Sequence, residues 1–374
     1  MADPRIVVFG ATGYTGRLTV ERLVAAGARP VLAGRNTEKL RRLGEVAGAD
    51  LETVQADVLR QNSVFSLVGK GDVLVSLVGP FVKWGDPAVR AATSAGAIYL
   101  DSTGEPAFIR RVFEEFSGPA SRSGAALLTA MGYDFVPGAL AGALALEEAG
   151  AEAVRVDVGY YAFGAQVSAG TRESLVGAAL DEGHAFRAGA LRSERAAARV
   201  RSFAVRGKSR PAISVGGAEH FTLPAAYPRL VEVNTYIGQF GEAVSRAVSA
   251  ASLGTSLAVR LPGVRSAMRF TGEKLMTLGP DPAEGTTAGA LSWVAAEALS
   301  ADGRVLASVE LSGADPYDFT AGMLSWAARR AVSAGVSGVG ALGPVGAFGL
   351  EALEAGCVEA GLVRVSAPVD VVGA

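Results

Sequence analysis

A single cysteine, Cys357, stands in the 374 residues of this chain. One thiol excludes a disulfide framework and any metal centre built on cysteines. Histidine is almost as scarce: His184 and His220 are the only two, and neither sits in an HExxH-like spacing. A metal site would have to rest on carboxylates, and none is expected. An excess of charge of one sign is also missing. Thirty-five basic against thirty-seven acidic residues leave a net charge of -2, which removes any broad electrostatic case for nucleic acid. Lysine is reduced to five residues against thirty arginines, a bias that reads as GC-rich coding rather than chemistry.

Long hydrophobic runs are missing too. Met1 to Arg5 lead straight into Ile6-Val7-Val8-Phe9, too short for a signal core and followed by no cleavage site. No export signal is expected, and a cytoplasmic location is the default. Ala331 to Leu350 is uncharged and long enough to span a bilayer, but it holds six glycines and Pro344. Such a stretch has poor helix propensity, so a buried glycine-rich turn and helix is expected rather than stable membrane insertion.

What the chain does have is apolar bulk. Hydrophobic residues make up 49% and charged residues 19%, enough to fill a sizeable core and to exclude general disorder. At roughly 150 residues per domain the length predicts two to three units, with two the more comfortable count. From Arg5 to about residue 130, short β-branched runs alternate with amphipathic stretches. Arg5–Phe9, Pro30–Ala33, Glu52–Gln55, Asp72–Val78, Ile98–Asp101 and Ala126–Thr129 read as strands. Helices are expected at Thr15–Ala26, Thr37–Val46, Pro87–Ala95 and Glu105–Ser117. That alternation predicts a parallel sheet covered on both faces. From about residue 150 the pattern changes to strand candidates at Val154–Phe163, Phe203–Val205, Ala212–Val215 and His220–Leu223. A hairpin is expected at Asp302-Gly303, between Leu291–Leu299 and Arg304–Leu311. The arginine-rich stretch Arg187–Arg210 reads as a solvated helix and loop. Helical periodicity returns over Asp318–Ser333, followed by a helix at Leu350–Ala360 and a strand at Leu362–Val365.

The motif with the most chemistry lies between the first strand and the first helix: Gly10-Ala11-Thr12-Gly13-Tyr14-Thr15-Gly16. Gly10 permits the sharp turn, Gly13 lets backbone approach a pyrophosphate, and Gly16 lets the helix pack tightly on the sheet. The free N–H groups of that helix then face the phosphates. At the end of the second strand, an NAD site would usually hold Asp or Glu for the ribose 2′-hydroxyl. Here Gly34-Arg35-Asn36 stands instead, with Lys39 one turn on and Arg41 and Arg42 nearby. Arg35 can hold a 2′-phosphate with a charge-assisted fork, so NADP(H) is the expected cofactor. After the third strand, Asp57 with Val58 is placed to meet the adenine amino group. A plain helix-capping Asp57 is the competing reading.

Four ordered motifs carry a family resemblance: Gly10–Arg17; Gly79-Pro80-Phe81 with Gly85; Tyr99-Leu100-Asp101-Ser102-Thr103-Gly104-Glu105; and Gly132-Tyr133-Asp134-Phe135-Val136-Pro137-Gly138. Over roughly residues 5 to 140 the chain resembles the saccharopine dehydrogenase-like oxidoreductases, and within them the trans-acting enoyl reductase branch. Further on, Gly170-Thr171 with Ser174 is similar to the family's Gly-Thr-x-x-Ser element, while Gly343-Pro344 lacks the family's Thr-Pro pair. The resemblance implies an α/β fold with a Rossmann-type doubly wound parallel sheet. Residues 1–140 would form it, completed by 318–374. An inserted α+β substrate and dimerisation domain, 141–317, would be built on a mixed or antiparallel sheet. It also implies that Val78, Gly79, Pro80 and Phe81 lie along the nicotinamide ribose. Thr103, Gly104, Glu105, Tyr133 and Asp134 would face the nicotinamide.

With no metal and no reactive thiol, the cofactor would carry the chemistry and the protein would supply orientation and a proton. Tyr133, Tyr160, Tyr161 and Tyr236 are proton-donor candidates, and Asp134 and Glu105 are candidate acids or charge stabilisers. Of these, Tyr133 and Asp134 are the favoured catalytic pair. Tyr160, Gly170, Thr171 and Ser174 are the expected substrate-binding residues. No Ser-x-x-x-Lys partner supports a short-chain-dehydrogenase mechanism. The expected function is reduction by NADPH of a C=C or C=N bond in a small or lipid-like molecule. A saccharopine-type reductase acting on an amino acid is the first alternative. It would need convergent arginines among Arg172, Arg229, Arg260 and Arg269. A non-catalytic NADP-binding sensor or scaffold is the second. A homodimer is compatible with either.

Overall fold

Short β-branched runs and intervening amphipathic helices build the first sheet. The structure, a computed structural model, describes residues 3–164, 183–238, 245–246, 249–250, 252, 290–313 and 315–365. Strands β1 (Ile6–Phe9), β2 (Val31–Gly34), β3 (Thr53–Gln55), β4 (Val73–Ser76), β5 (Ile98–Asp101) and β6 (Ala126–Leu128) pair in the order β3-β2-β1-β4-β5-β6. Every pairing is parallel. Between them run α1 (Tyr14–Ala25), α2 (Thr37–Val46), α3 (Gln61–Phe65), α4 (Phe81–Trp84), α5 (Asp86–Ala95), α6 (Pro106–Arg111) and α7 (Ser117–Ser123). Residues of β1, β2 and β4 are buried on both faces, as a sheet sandwiched by helices requires. Ile6, Val8 and Val75 pack with Val20 and Leu23 of α1 on one side. Val7, Phe9 and Leu74 pack with Val89 and Ala92 of α5 on the other.

The second sheet follows α8 (Val136–Ala149). It holds β7 (Arg155–Phe163), β8 (Gly183–Arg187), β9 (Ala190–Glu194), β10 (Val200–Val205) and β11 (Lys208–Val215). After helix α9 (Glu219–Ala226) come β12 (Glu232–Ile237), β13 (Leu291–Leu299) and β14 (Val305–Gly313). Its main path is β10-β11-β12-β7-β13-β14, with β8 beside β12 and β9 beside β8. Only β7 and β12 pair in parallel there, so the sheet is mixed. Val156, Val158 and Tyr160 of β7 share a core with Leu140 and Leu144 of α8, continuous with one face of the first sheet. Tyr161, Phe203 and Tyr236 form a separate cluster on the far face. There Arg201 of β10 reaches Asp157 of β7 and Glu297 of β13, so the sheet curls over itself.

The remaining elements are α10 (Pro316–Ala334), β15 (Gly340–Ala341), α11 (Pro344–Phe348), α12 (Leu350–Glu359) and β16 (Leu362–Arg364). Strand β15 returns to the first sheet beside β6. Strand β16 does not: it pairs antiparallel with β14, where the open edge of the second sheet accepts it. The carboxyl-terminal segment expected to complete the first unit is thus shared between the two sheets. Ala331–Leu350 forms the end of α10, β15 and α11, and no helix among the described residues is long and apolar enough to cross a membrane. Two local expectations are corrected. His220–Leu223 lies in helix α9, not a strand, and Arg187–Arg210 contains strands β9 and β10, not a helix. In both cases the tertiary setting overrides the local pattern. The arginines of the second stretch point into ion pairs: Arg187 with Glu232, Arg199 with Glu194, and Arg201 with Asp157.

Candidate functional site

In a parallel sheet all strand ends of one kind fall on one edge, and ligands bind outside the carboxyl ends. The order β3-β2-β1-β4-β5-β6 therefore sets the post-strand loops in a row. Asp57 and Val58 stand after β3, and Arg35, Asn36 and Lys39 after β2. Gly10 to Gly16 follow β1, Val78 to Phe81 follow β4, Thr103 to Glu105 follow β5, and Tyr133 and Asp134 follow β6.

Gly10 takes φ +87°, a conformation open to glycine and strained for other residues. A Cβ there would also lie 2.9 Å from the Leu77 carbonyl, so the loops after β1 and β4 touch. Gly16 is a packing glycine, since its Cβ would fall 2.4 Å from the Gly10 carbonyl oxygen. Gly13 differs: its Cβ would meet only the Gly10 oxygen, at 3.4 Å. That position faces open space, as a phosphate-approach glycine must. Gly13 caps α1 with no side-chain hydrogen bond, and the first turn holds no acid. The helix dipole and the amide donors are left for an anion. Tyr14 turns away and packs edge-on against Tyr317 of α10.

After β2, Arg35 and Lys39 are exposed and make no ion pair among the described residues. Asn36 caps α2 by accepting the Lys39 N–H at 2.9 Å. Arg41 and Arg42 are both held by Glu38, which leaves Arg35 and Lys39 as the available cations. Asp57 accepts the Leu59 N–H at 3.0 Å through one carboxylate oxygen. The bond closes a turn ahead of α3, whose N-cap is Arg60 and not Asp57, and it leaves the other carboxylate oxygen uncommitted by that bond.

The loops after β5 and β6 are stapled together by Asp101, to which the sequence pattern assigns no role. Its carboxylate is fully buried. It accepts the Thr103 N–H at 2.9 Å, the Ala130 N–H at 2.9 Å and the Thr129 hydroxyl at 2.7 Å. Burial raises its pKa to about 6, against these hydrogen bonds, which lower it. Glu105 has a similar structural duty: its carboxylate accepts the N–H groups of Phe81 at 2.8 Å and Val82 at 2.9 Å. It therefore shapes the Gly79-Pro80 loop, whose peptide bond is cis, and is committed there rather than poised as an acid. Gly104 lies against Asp134, with its Cβ position 3.1 Å from one Asp134 carboxylate oxygen. That carboxylate has no hydrogen-bond or charge partner among the described residues. Burial alone raises it to about 6.

Tyr133 departs from its expected role. Its hydroxyl is turned away from the strand-end edge and donates to the backbone carbonyls of Tyr161 at 2.9 Å and Trp293 at 3.3 Å. Burial pushes its pKa well up. A phenol held by main-chain acceptors of the second sheet is an anchor, not a ready proton donor. Its own N–H donates to the Thr320 hydroxyl of α10 at 3.0 Å. Tyr160 is likewise occupied: it accepts the Gly138 N–H at 2.8 Å and donates to Glu219 at 2.5 Å. It forms the wall behind Tyr133 and Phe135 through edge contacts, with no hydroxyl free for substrate. Tyr161 and Tyr236 lie in the far-face cluster. Gly170, Thr171 and Ser174 lie outside the described residues. Of the four candidate substrate arginines only Arg229 is described, and it donates to the Ala153 and Leu146 carbonyls. His184 and His220 sit inside the second unit, their rings 5.3 Å apart around Gly217. Burial lowers them to about 4 and about 3, so both are neutral.

Comparison with known proteins bears on this edge. Residues 6–130 match the family model of the saccharopine dehydrogenase NADP binding domain. The match covers about a third of the chain. The domain's cofactor is NADP(H), and the open Gly13, the uncapped α1 and the unpaired Arg35 and Lys39 fit it. A Mycobacterium tuberculosis (H37Rv) protein that carries the name trans-acting enoyl reductase provisionally is 38% identical over 144 residues. The match covers 36% of this chain and 34% of that protein. A trans-acting enoyl reductase of the same strain is 36% identical over 137 residues, covering 35% of this chain and 33% of that protein. The matches thus span about a third of these relatives. Beyond the NADP-binding domain the fold has a solved likeness. Saccharopine dehydrogenase (L-Glu forming) of Saccharomyces cerevisiae, in its apo form, superposes with TM-score 0.59 over 97% of this chain and 100% of its own, at 11% identity. That likeness extends to the fold alone.

Proposed function

We propose that this chain is an NADPH-dependent reductase that adds hydrogen across a C=C or C=N bond of a small or lipid-like organic substrate. One observation carries the reading. The partnerless carboxyl of Asp134 stands against Gly104, on the strand-end edge that also holds the Gly10–Gly16 loop. Bound NADPH would supply the hydride. Gly13 and the α1 amides hold the pyrophosphate, and Arg35 with Lys39 reads the 2′-phosphate. Val78 to Phe81, braced by Glu105, line the ribose, and Thr103 and Gly104 border the nicotinamide. With its pKa near 6, Asp134 gives a proton to the substrate atom that does not receive the hydride and is reprotonated from water. The second sheet, anchored by Tyr133, closes the opposite side and excludes solvent. In this reading residues 1–140 with β15 bind the cofactor, and 141–317 bind substrate.

The name of the mycobacterial relatives supports C=C reduction, since the similarity runs through the cofactor loops. The test is direct. NADPH should quench protein fluorescence at lower concentration than NADH, and NADPH absorbance should fall with a member of an enoyl thioester, enone and imine panel. Tight NADPH binding without turnover on any member would favour a sensor or scaffold.

A further inference from the structure

Glu219, at the start of α9, is fully buried and has no predicted role. One carboxyl oxygen accepts the Tyr160 hydroxyl at 2.5 Å, and that hydroxyl oxygen accepts the Gly138 N–H in the first turn of α8 at 2.8 Å. The other oxygen makes no hydrogen bond among the described residues, with the equally unpartnered Thr235 hydroxyl of β12 beside it. Two glycines make the room. A Cβ on Gly138 would lie 2.4 Å from the first oxygen, and one on Gly217 would lie 2.4 Å from the second. Among the described residues the elements around it offer no cation. Strand β12 turns Val233 toward this core and Tyr236 to the far face, where Glu232 pairs with Arg187. Helix α11 carries no titratable residue. Helix α8 has only Glu147 and Glu148, in its last turn. Strand β8 contributes His184, and α9 itself His220, both neutral. Asp134, two residues ahead of α8, is the remaining neighbour.

We infer that Glu219 is a positioning residue for Asp134: Glu219, Tyr160 and the first turn of α8 form one hydrogen-bonded unit, closed around an uncharged Glu219 carboxyl, that fixes the backbone leading out of Asp134. The inference rests on the reading of Asp134 as the acid of the site. Two carboxylates in one water-poor wall cannot both ionise at low cost. The surroundings order them: burial, reinforced by the Asp134 charge, raises Glu219 to about 8, above Asp134. A neutral Glu219 donates or accepts toward Tyr160 without repelling Asp134, and so leaves Asp134 free to cycle its proton.

The experiment is infrared titration of the whole chain in the carboxyl region, with CD to confirm folding. It needs no substrate, so its failure is distinct from failure of the reductase reading, which NADPH turnover reports. The wild type should keep a protonated-carboxyl band above pH 7 that Glu219→Gln removes. In Asp134→Asn the midpoint of that band should fall by about one pH unit, a tenfold change in proton affinity, because the neighbouring charge is gone. A merely structural Glu219 would keep its midpoint. The inference is overturned if Glu219→Gln removes no band above pH 7, or if the midpoint is unmoved in Asp134→Asn. Should Glu219→Gln fail to fold, the Asp134→Asn titration decides alone.

Discussion

The two walls of this site are built in opposite ways. On the cofactor wall each working group lies within a few residues of its strand end: Gly13 opens α1, and Asn36 caps α2 three residues before Lys39. On the opposite wall the partners are far apart in sequence. Tyr133 reaches Trp293 across 160 positions, and Tyr160 reaches Glu219 across 59. The cofactor wall is also the more exposed at Arg35 and Lys39, while Glu219 and Tyr160 are buried. A ligand of fixed chemistry is met by local, surface-lying groups. The opposite wall depends on tertiary packing, because the hydroxyls of Tyr133 and Tyr160 are held by partners distant in sequence.

The contrast breaks most sharply at Gly13. Gly13→Val should reduce NADPH affinity more than 100-fold, because the side chain occupies the approach of the pyrophosphate. The fold should survive, since only one backbone oxygen lies near the Cβ position, at 3.4 Å. Fluorescence titration beside a melting curve checks both. Gly16→Val is the control: with its Cβ 2.4 Å from a backbone oxygen, it should lower Tm as well. Next, Asp134→Asn should lower kcat by about 100-fold or more, the range for a lost general acid, with NADPH affinity nearly unchanged. Steady-state kinetics on an accepted substrate, with a binding titration, separate the two.

The same asymmetry explains what could be read from the sequence. The Gly10–Gly16 loop, its setting between strand and helix, and the Gly34-Arg35 end of β2 all lie in one short stretch, where spacing alone determines geometry. Asp101 was visible at a strand end, yet its role as a staple needs Thr129 and Ala130 from the loop after the next strand. Nothing adjacent to Glu219 marks it, because the signal is the hydroxyl of Tyr160. The tyrosines misled for a related reason. A phenol at the end of an expected strand looks available until the acceptors that hold it, Tyr161 and Trp293 for Tyr133, are known. His220–Leu223 read as a strand from its aromatic and branched residues, but the Gly216-Gly217 turn starts a helix there, in contact with α8, β8 and β12.

Smaller effects sharpen the comparison. On the substrate wall, Gly138→Ala should destabilise the protein by about 2 kcal/mol through overpacking, because the new methyl would lie 2.1 Å from the Tyr160 hydroxyl. Chemical denaturation reads this. On the cofactor wall, Arg35→Ala should cost about tenfold in NADPH affinity, the scale of a charge-assisted hydrogen bond at an exposed site, with NADH affinity and Tm unchanged. The last effect is one of pH. Asp134 has a folded pKa of about 6, raised by burial from 3.8. A raised carboxyl pKa means the folded state holds the proton more tightly, so stability is greatest below the unfolded pKa. It falls as pH rises through the window from about 4 to 6. Asp134→Asn should remove that loss, so its Tm relative to wild type should rise across the window and level off above it.

A crystal structure of the NADP+ complex tests most directly whether Asp134 stands at the nicotinamide end of the NADP site. The nicotinamide should lie over Gly104, with its C4 within about 5 Å of the Asp134 carboxylate, close enough for a reacting atom to bridge both. A well-ordered nicotinamide with C4 more than about 10 Å from Asp134, beyond the span of one reacting bond, would contradict it.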